Sequence, residues 1–181
     1  NASIGSNVTS IDDGAFDRCS SLVSISIPDS VTSIGSQAFM DCSSLTNITI
    51  GSGVSSIGSE AFSRCSSLTD VYLADMDAWC RITFGGDYST PMWYAKNIYL
   101  KEEKITSVTM PQGITTVQYT FCGFQDLVTV TIPDSVTSIG ERAFCSCSSL
   151  TGITIPDSVT SISSEAFQNC ASLQSITIGS G

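Results

Sequence analysis

"LVSISIPDSVTSIGSQAFMDCSSL" (residues 22–45) returns with few changes as "LVTVTIPDSVTSIGERAFCSCSSL" (residues 127–150). Outward from these two phrases, Phe16, Phe39 and Phe62 stand 23 residues apart, as do Phe121, Phe144 and Phe167. The gap between the two triplets is 59 residues, two periods plus 13, so something irregular lies between them. The shared unit reads Leu-x-x-Ile-x-Ile-Pro-x-Ser-Val-x-x-Ile-Gly-x-x-Ala-Phe-x-x-Cys-x-x-Leu.

Each part of the unit has a physical reading. Ile25 and Ile27 alternate with Ser24 and Ser26, which places the isoleucines on one side of a short strand and the serines on the other. Pro28 ends that strand because it has no N–H for a ladder. Val31 and Ile34 form a second apolar segment. Gly35 and Ser36 then open a predicted single helical turn in which Phe39 and Cys42 share a face. One such coil buries almost nothing alone, but coils stacked about 4.8 Å apart bury one continuous core. The period therefore predicts a β-rich leucine-rich repeat solenoid. Its short parallel strands start near Leu22, Leu45, Leu68, Ile105, Leu127, Leu150 and Leu173, with one short helical turn per repeat and one irregular enlarged coil. We expect a single solenoid over residues 1–181, interrupted at 74–104. Without a distinct capping unit at either end, it reads as a fragment of a longer array.

Composition narrows the function classes. The chain has 181 residues, a formal charge of -10, seven Lys and Arg, and no His. The few cations do not cluster, so a nucleic-acid or anionic-membrane interface is not expected. No apolar run is long enough for membrane insertion. Without His there is no Ser-His-Asp or Cys-His nucleophile system, and no phosphate-binding glycine loop is present. The reading is non-enzymatic, with no catalytic residue, no cofactor and no metal site. Asp29, Asp134 and Asp157 follow Pro in equivalent coils. They fit turns in which Asp bonds its own backbone better than a calcium ladder, because Gly51-Ser52 and Gln112 interrupt the row.

The break holds most of the aromatic residues. Tyr72, Trp79, Tyr88, Trp93, Tyr94 and Tyr99 lie in or beside residues 74–104. "GGDYSTP" (residues 85–91) reads as an enlarged loop, and "NIYLKEEKITSV" as a hairpin with strands near 97–100 and 105–109 and its charged tip at 101–104. Trp79 and Phe84 read best as plugs where regular rungs are missing. Tyr72, Asp87, Tyr88, Trp93 and Tyr94 are the candidate binding residues, since Tyr and Trp join large contact area to a hydrogen-bonding tip.

The position three after each repeat Phe holds Cys19, Cys42, Cys65, Phe124, Cys147 and Cys170. Phe at one of these places implies an apolar filler and buried free thiols at the others. Cys122 and Cys145 follow the Phe directly, one coil apart, within reach of a disulfide; two adjacent free thiols are the alternative.

"IPDSVTSIG" (residues 27–35 and 132–140), the Ala-Phe-x-x-Cys-x-x-Leu phrase and "AWCRITFGGDYSTPMWYAKNIYL" (residues 78–100) together resemble the BspA-like leucine-rich repeats, a bacterial surface-protein class. Where the general leucine-rich pattern carries Asn or Cys, this chain has Ser30 and Ser135. The resemblance implies an extracellular or cell-surface role in adhesion, with an extracellular protein or glycan as partner. Two other readings remain open. One is a structural stalk with end-to-end self-association. The other is an ice-binding face built on Thr49, Thr131, Thr154 and Thr177.

Overall fold

The computed structural model describes residues 2–179; Asn1, Ser180 and Gly181, at the ends of the predicted solenoid, lie outside them. The chain forms two compact units, Asn1–Lys104 and Ile105–Gly181. Each is a β-solenoid of stacked parallel strands, as the period predicts.

In the first unit, Ala2–Ser3, Ser24–Ser26, Asn47–Ile50, Asp70–Leu73 and Asn97–Leu100 line up in one sheet. Ser10–Ile11, Ser33–Ile34, Ser56–Ile57 and Thr83–Phe84 form a second. The registers place Ile25, Ile48, Val71 and Ile98 in one column and Ile11, Ile34, Ile57 and Phe84 in another. In the second unit, Ser107–Thr109 pairs with Thr129–Thr131 and Gly152–Ile155 with Ser175–Ile178. A three-stranded ladder joins Thr116–Val117, Ser138–Ile139 and Ser161–Ile162.

The Phe columns are the thickest part of both cores. Phe16, Phe39 and Phe62 stack at 5.1 and 5.4 Å with rings within 3° of parallel. Phe121, Phe144 and Phe167 stack at 5.3 and 5.4 Å with rings within 5° of parallel. Isolated aromatic pairs favour offset or edge-on contact; here the coil spacing sets near-parallel rings, and Phe39, Phe62, Phe121 and Phe144 are fully buried.

The segment carrying each Phe is not a helical turn. It is a run of hydrogen-bonded turns with two left-handed residues four apart, Gln37 and Asp41 (φ 57° and 56°), Glu60 and Arg64 (57° and 58°), Glu165 and Asn169 (58° and 60°). The left-handed residues tip alternate N–H groups toward the neighbouring coil instead of along a helix axis. Gln37, Phe39 and Asp41 thus donate to the carbonyls of Ser59, Ala61 and Ser63. Phe121 and Gly123 likewise donate to Ala143 and Cys145. This corner is therefore a third hydrogen-bonded edge of the coil, and alternating left-handed geometry keeps its donors from being buried unpaired.

Side chains reinforce the stacking. Thr46 donates its hydroxyl to the carbonyl of Val23 at 3.0 Å, and Ser55 to that of Thr32 at 2.9 Å. Thr137 and Thr160 repeat the contact in the second unit. Part of the abundant Ser and Thr thus bonds to the adjacent coil. Asp29 also differs from expectation: its carboxylate accepts the Ser52 N–H of the next coil at 2.7 Å, as Asp13 accepts that of Ser36 at 2.6 Å. Glycine follows Ile at the corner because a Cβ on Gly58 would sit 2.5 Å from the Ser36 nitrogen.

Within each unit the repeat cysteines bond in the same way. Cys42, Cys65, Cys147 and Cys170 donate S–H to the carbonyls of Phe16, Phe39, Phe121 and Phe144 at 3.0–3.2 Å. Cys42, Cys65 and Cys147 are buried, whereas Cys19 is exposed and Cys170 half-buried. Phe124 fills the same place and packs edge-on against Phe121. The Cys122–Cys145 bridge is not formed: both are free, buried thiols. The Cys145 sulfur turns toward Ser146 Oγ and Gln168 Oε1, at 3.6 and 3.7 Å.

Candidate functional site

The enlarged coil must continue the stack with the wrong number of residues, and it does so piecewise. Asp75 caps a single helical turn at Met76–Cys80 by accepting the Ala78 N–H at 2.7 Å. This turn drives Trp79 inward, where it is 1% exposed and meets Phe84 edge-on at 5.3 Å. Phe84 takes the rung after Ile57, so both residues plug the core as the sequence suggests. Thr90 opens a 3-10 turn over Pro91–Trp93 and buries Pro91 and Met92. The hairpin is tighter than predicted. Asn97–Leu100 returns through Lys101 and Glu102 to Glu103–Lys104, while Ser107–Thr109 belongs to a parallel ladder of the second unit. Both Lys101 and Glu102 have positive φ, as a two-residue hairpin turn requires.

The third edge of the coil is where the irregularity reaches the surface. Glu60 still donates to the carbonyl of Asp87, and Phe62 to that of Tyr88. The next donor in the series, the Arg64 N–H, goes to the Tyr94 hydroxyl at 3.0 Å. In the preceding coils, Arg18 and Asp41 donate instead to the carbonyls of Met40 and Ser63. Tyr94 thus supplies by side chain the acceptor that the backbone supplies elsewhere. Its ring stacks on Tyr88 at 6.2 Å, and Tyr88 meets Trp93 at 4.7 Å. All three rings are half-buried.

A cleft of about 450 Å³ opens beside these rings, lined by Gln37, Glu60, Ser63, Arg64, Tyr88 and Tyr94 among others. Gln37 Nε2 donates to Glu60 Oε2 at 2.9 Å, and the Arg64 guanidinium lies 3.6 Å from the Asp41 carboxylate. The cleft offers an amide, a carboxylate, a hydroxyl and a guanidinium beside an aromatic wall.

The predicted site residues divide into two places. Tyr88, Trp93 and Tyr94 come together, with the Asp87 backbone holding Glu60. Tyr72 does not join them; it lies on the strand face and stacks on Tyr99 at 5.0 Å. Beside that pair, Asp70 accepts from Asn97 Nδ2 and Thr69 Oγ1 at 2.8 and 2.7 Å. Gln37, Glu60, Ser63 and Arg64 were not anticipated. Their signal was available in the repeat: Gln37 and Glu60 share one position of adjacent units, and Arg64 stands at the variable place before Cys65.

A second depression of about 520 Å³ is lined by Thr131, Thr154, Thr177, Asp134 and Asp157, among others, and has no aromatic ring. Thr49 lies between Ser26 and Tyr72 in its column, so bulky rings break the flat threonine surface of the first unit. Among the described residues no cluster of three metal-ligating side chains occurs, and no helix is long and apolar enough to cross a membrane.

Burial pushes the Cys42 thiol up to about 11 and those of Cys65 and Cys80 to about 12. At neutral pH all three are protonated, poor nucleophiles and poor metal ligands.

The family model described as "BspA type Leucine rich repeat region (6 copies)" matches residues 1–78 and 95–181. The unmatched stretch falls within the enlarged coil. A leucine rich cell surface protein of Faecalibacterium prausnitzii is 35% identical, with a TM-score of 0.56, over 94% of this chain and 43% of that one. A leucine-rich repeat protein of Bacteroides ovatus is 27% identical, with a TM-score of 0.64, over 93% and 40% respectively. The pneumococcal vaccine antigen PcpA, 20% identical with a TM-score of 0.51 over 95% of this chain and 54% of that one, shares the fold. The chain therefore spans about two fifths of the length of the first two structures. No curated protein matches it. Period, stacked architecture and family model agree: the chain belongs to the BspA-type leucine-rich repeat family.

Proposed function

We propose that this repeat scaffold is a non-enzymatic recognition segment displayed at the cell surface or secreted, holding an extracellular protein or glycan against its enlarged coil. The observation that carries this reading is the Tyr88–Trp93–Tyr94 cluster beside an open cleft, in the one coil that departs from the repeat. Half-buried Tyr and Trp fixed by a rigid stack lose little conformational freedom on binding, which suits them as contact anchors. The likeness to a Faecalibacterium prausnitzii cell surface protein supports the location. Asp87 contributes its backbone to the wall, and Tyr72 with Tyr99 offers a separate contact on the strand face.

The test is a panel of extracellular matrix proteins and glycans probed with the wild-type chain and Trp93→Ala. Retention of a ligand by the wild type and its loss in the variant is expected. A panel without any ligand, or ligands indifferent to Trp93→Ala, contradicts the reading.

Stacking onto a further coil is the second reading, favoured by one observation. Ile162, Ile176 and Ile178 occupy core columns yet are 44%, 44% and 63% exposed. Such a face suits a coil of a second copy. Association that persists in high salt and disappears in Ile178→Asp, measured by sedimentation, is its expected signature.

A further inference from the structure

We propose that the cleft between the Gln37–Glu60 corner and the Tyr88–Tyr94 wall binds a neutral pyranose unit of a glycan. This rests on the recognition reading above and names the chemical class of its ligand.

The first argument is the pairing of ring and polar groups. A pyranose presents C–H bonds on one face and hydroxyls around its rim. The electron-rich face of a Tyr ring attracts the former, and mixed donors and acceptors satisfy the latter. The cleft has both. Tyr88 packs against Trp93 at 4.7 Å and against Tyr94 at 6.2 Å. Glu60, Gln37, Ser63 and Arg64, which carry a carboxylate, an amide, a hydroxyl and a guanidinium, line the same cleft. Hydroxyls that both donate and accept can use all four groups.

The second argument is charge. Arg64 is paired with Asp41 at 3.6 Å, and Glu60 accepts from Gln37 at 2.9 Å. An acidic sugar would meet the Glu60 and Asp41 carboxylates beside Arg64 and approach a chain of formal charge -10, against the sign of its field. A cationic ligand would meet the Arg64 guanidinium at the same cleft. A neutral sugar faces neither repulsion.

The third argument is rigidity. The residues lining the cleft stand at left-handed corners, Gln37, Glu60, Arg64 and Tyr88, with φ between 54° and 58°. These corners are fixed by the inter-coil hydrogen bonds from Gln37, Glu60 and Phe62. Tyr94 closes the wall by accepting from Arg64. The polar groups are thus arranged before a ligand arrives. The larger depression of the second unit has hydroxyls and carboxylates but no ring, and is expected not to bind the same sugars.

The experiment is a printed array of neutral, sialylated and sulfated oligosaccharides, probed with the chain presented multivalently on beads, followed by calorimetry with the best neutral oligosaccharide. Binding is expected among neutral hexose-containing glycans and should persist between roughly 50 and 500 mM salt. Tyr88→Ala and the surface substitution Glu60→Gln should each weaken it by about tenfold or more, with Tyr72→Ala within about twofold and circular dichroism unchanged. Preference for sialylated or sulfated glycans, loss of binding in salt, or indifference to both Tyr88→Ala and Glu60→Gln overturns the proposal. If no neutral glycan binds but a matrix protein does, and Trp93→Ala abolishes that, the sugar assignment is wrong while the recognition reading stands. If neither class binds, both are wrong.

Discussion

The coil carrying Phe39 and the enlarged coil after Leu73 solve the same problem with different means. In the first, every edge is a repeated backbone ladder: parallel strands, a short second strand and a corner whose N–H groups reach the next coil. In the second, the strand Asn97–Leu100 and the bridge Thr83–Phe84 keep two of those edges. The corner is improvised. Trp79 and Met92 fill volume, and the Tyr94 hydroxyl replaces a carbonyl. Regularity supplies stability cheaply because one phrase satisfies each neighbour in turn. Irregularity costs dedicated residues, and it is also what opens a cleft and brings three aromatic rings to its edge.

If the improvised coil is packed as well as the regular one, truncating either core costs a similar amount. Phe39→Ala and Trp79→Ala should each lower unfolding free energy by about 3–5 kcal/mol, read by chemical denaturation. A Trp79→Ala cost near zero would mean that the enlarged coil hangs loosely on the stack. Next in size is Gly58→Val, whose Cβ would meet the Ser36 backbone at 2.5 Å; about 1–3 kcal/mol is expected from the forced separation of two regular coils.

The buried thiols give a pH prediction. In the native state Cys42 is raised to about 11 and Cys65 and Cys80 to about 12. Between pH 9 and 11 the unfolded chain loses thiol protons that the native chain keeps, so stability falls as pH rises through that window. The denaturation midpoint should drop between about pH 8 and about pH 10.5, and less so in Cys65→Ala. The smallest effect belongs to the hairpin. Lys101 and Glu102 hold φ of 50° and 69°, a geometry that suits Asn-Gly. Replacing both accordingly should stabilise by about 0.5–1 kcal/mol.

The regular coils were legible because a 23-residue period converts sequence position directly into place in the stack. The alternation of Ile25 and Ile27 with serines, the Phe columns and the filler role of the cysteines all follow from it. Three features were not legible. Phe39 and Cys42 at three-residue spacing fit a helical turn equally well, and the paired left-handed residues leave no mark in side-chain type, as Gln37, Asp41, Glu60 and Arg64 show. The Asp29 contact was read as local because its partner, Ser52, lies a full coil away. The hairpin was drawn too long because Lys-Glu-Glu-Lys looks like a tip, whereas its second half is the return strand. At the candidate site, the aromatic content of the break pointed to Tyr88, Trp93 and Tyr94. The break alone said nothing of Gln37 and Glu60, which enter the cleft through the regular coils beside it.

The central claim is that at the corner of the enlarged coil a side-chain hydroxyl, that of Tyr94, stands where the regular coils supply a backbone carbonyl. Amide hydrogen exchange at Arg64, compared between the wild type and Tyr94→Phe, measures it directly. The Arg64 N–H should be protected in the wild type and lose protection in the variant, while the Asp41 N–H, bonded to the Ser63 carbonyl, stays unchanged. Equal protection of Arg64 in both proteins would contradict the account.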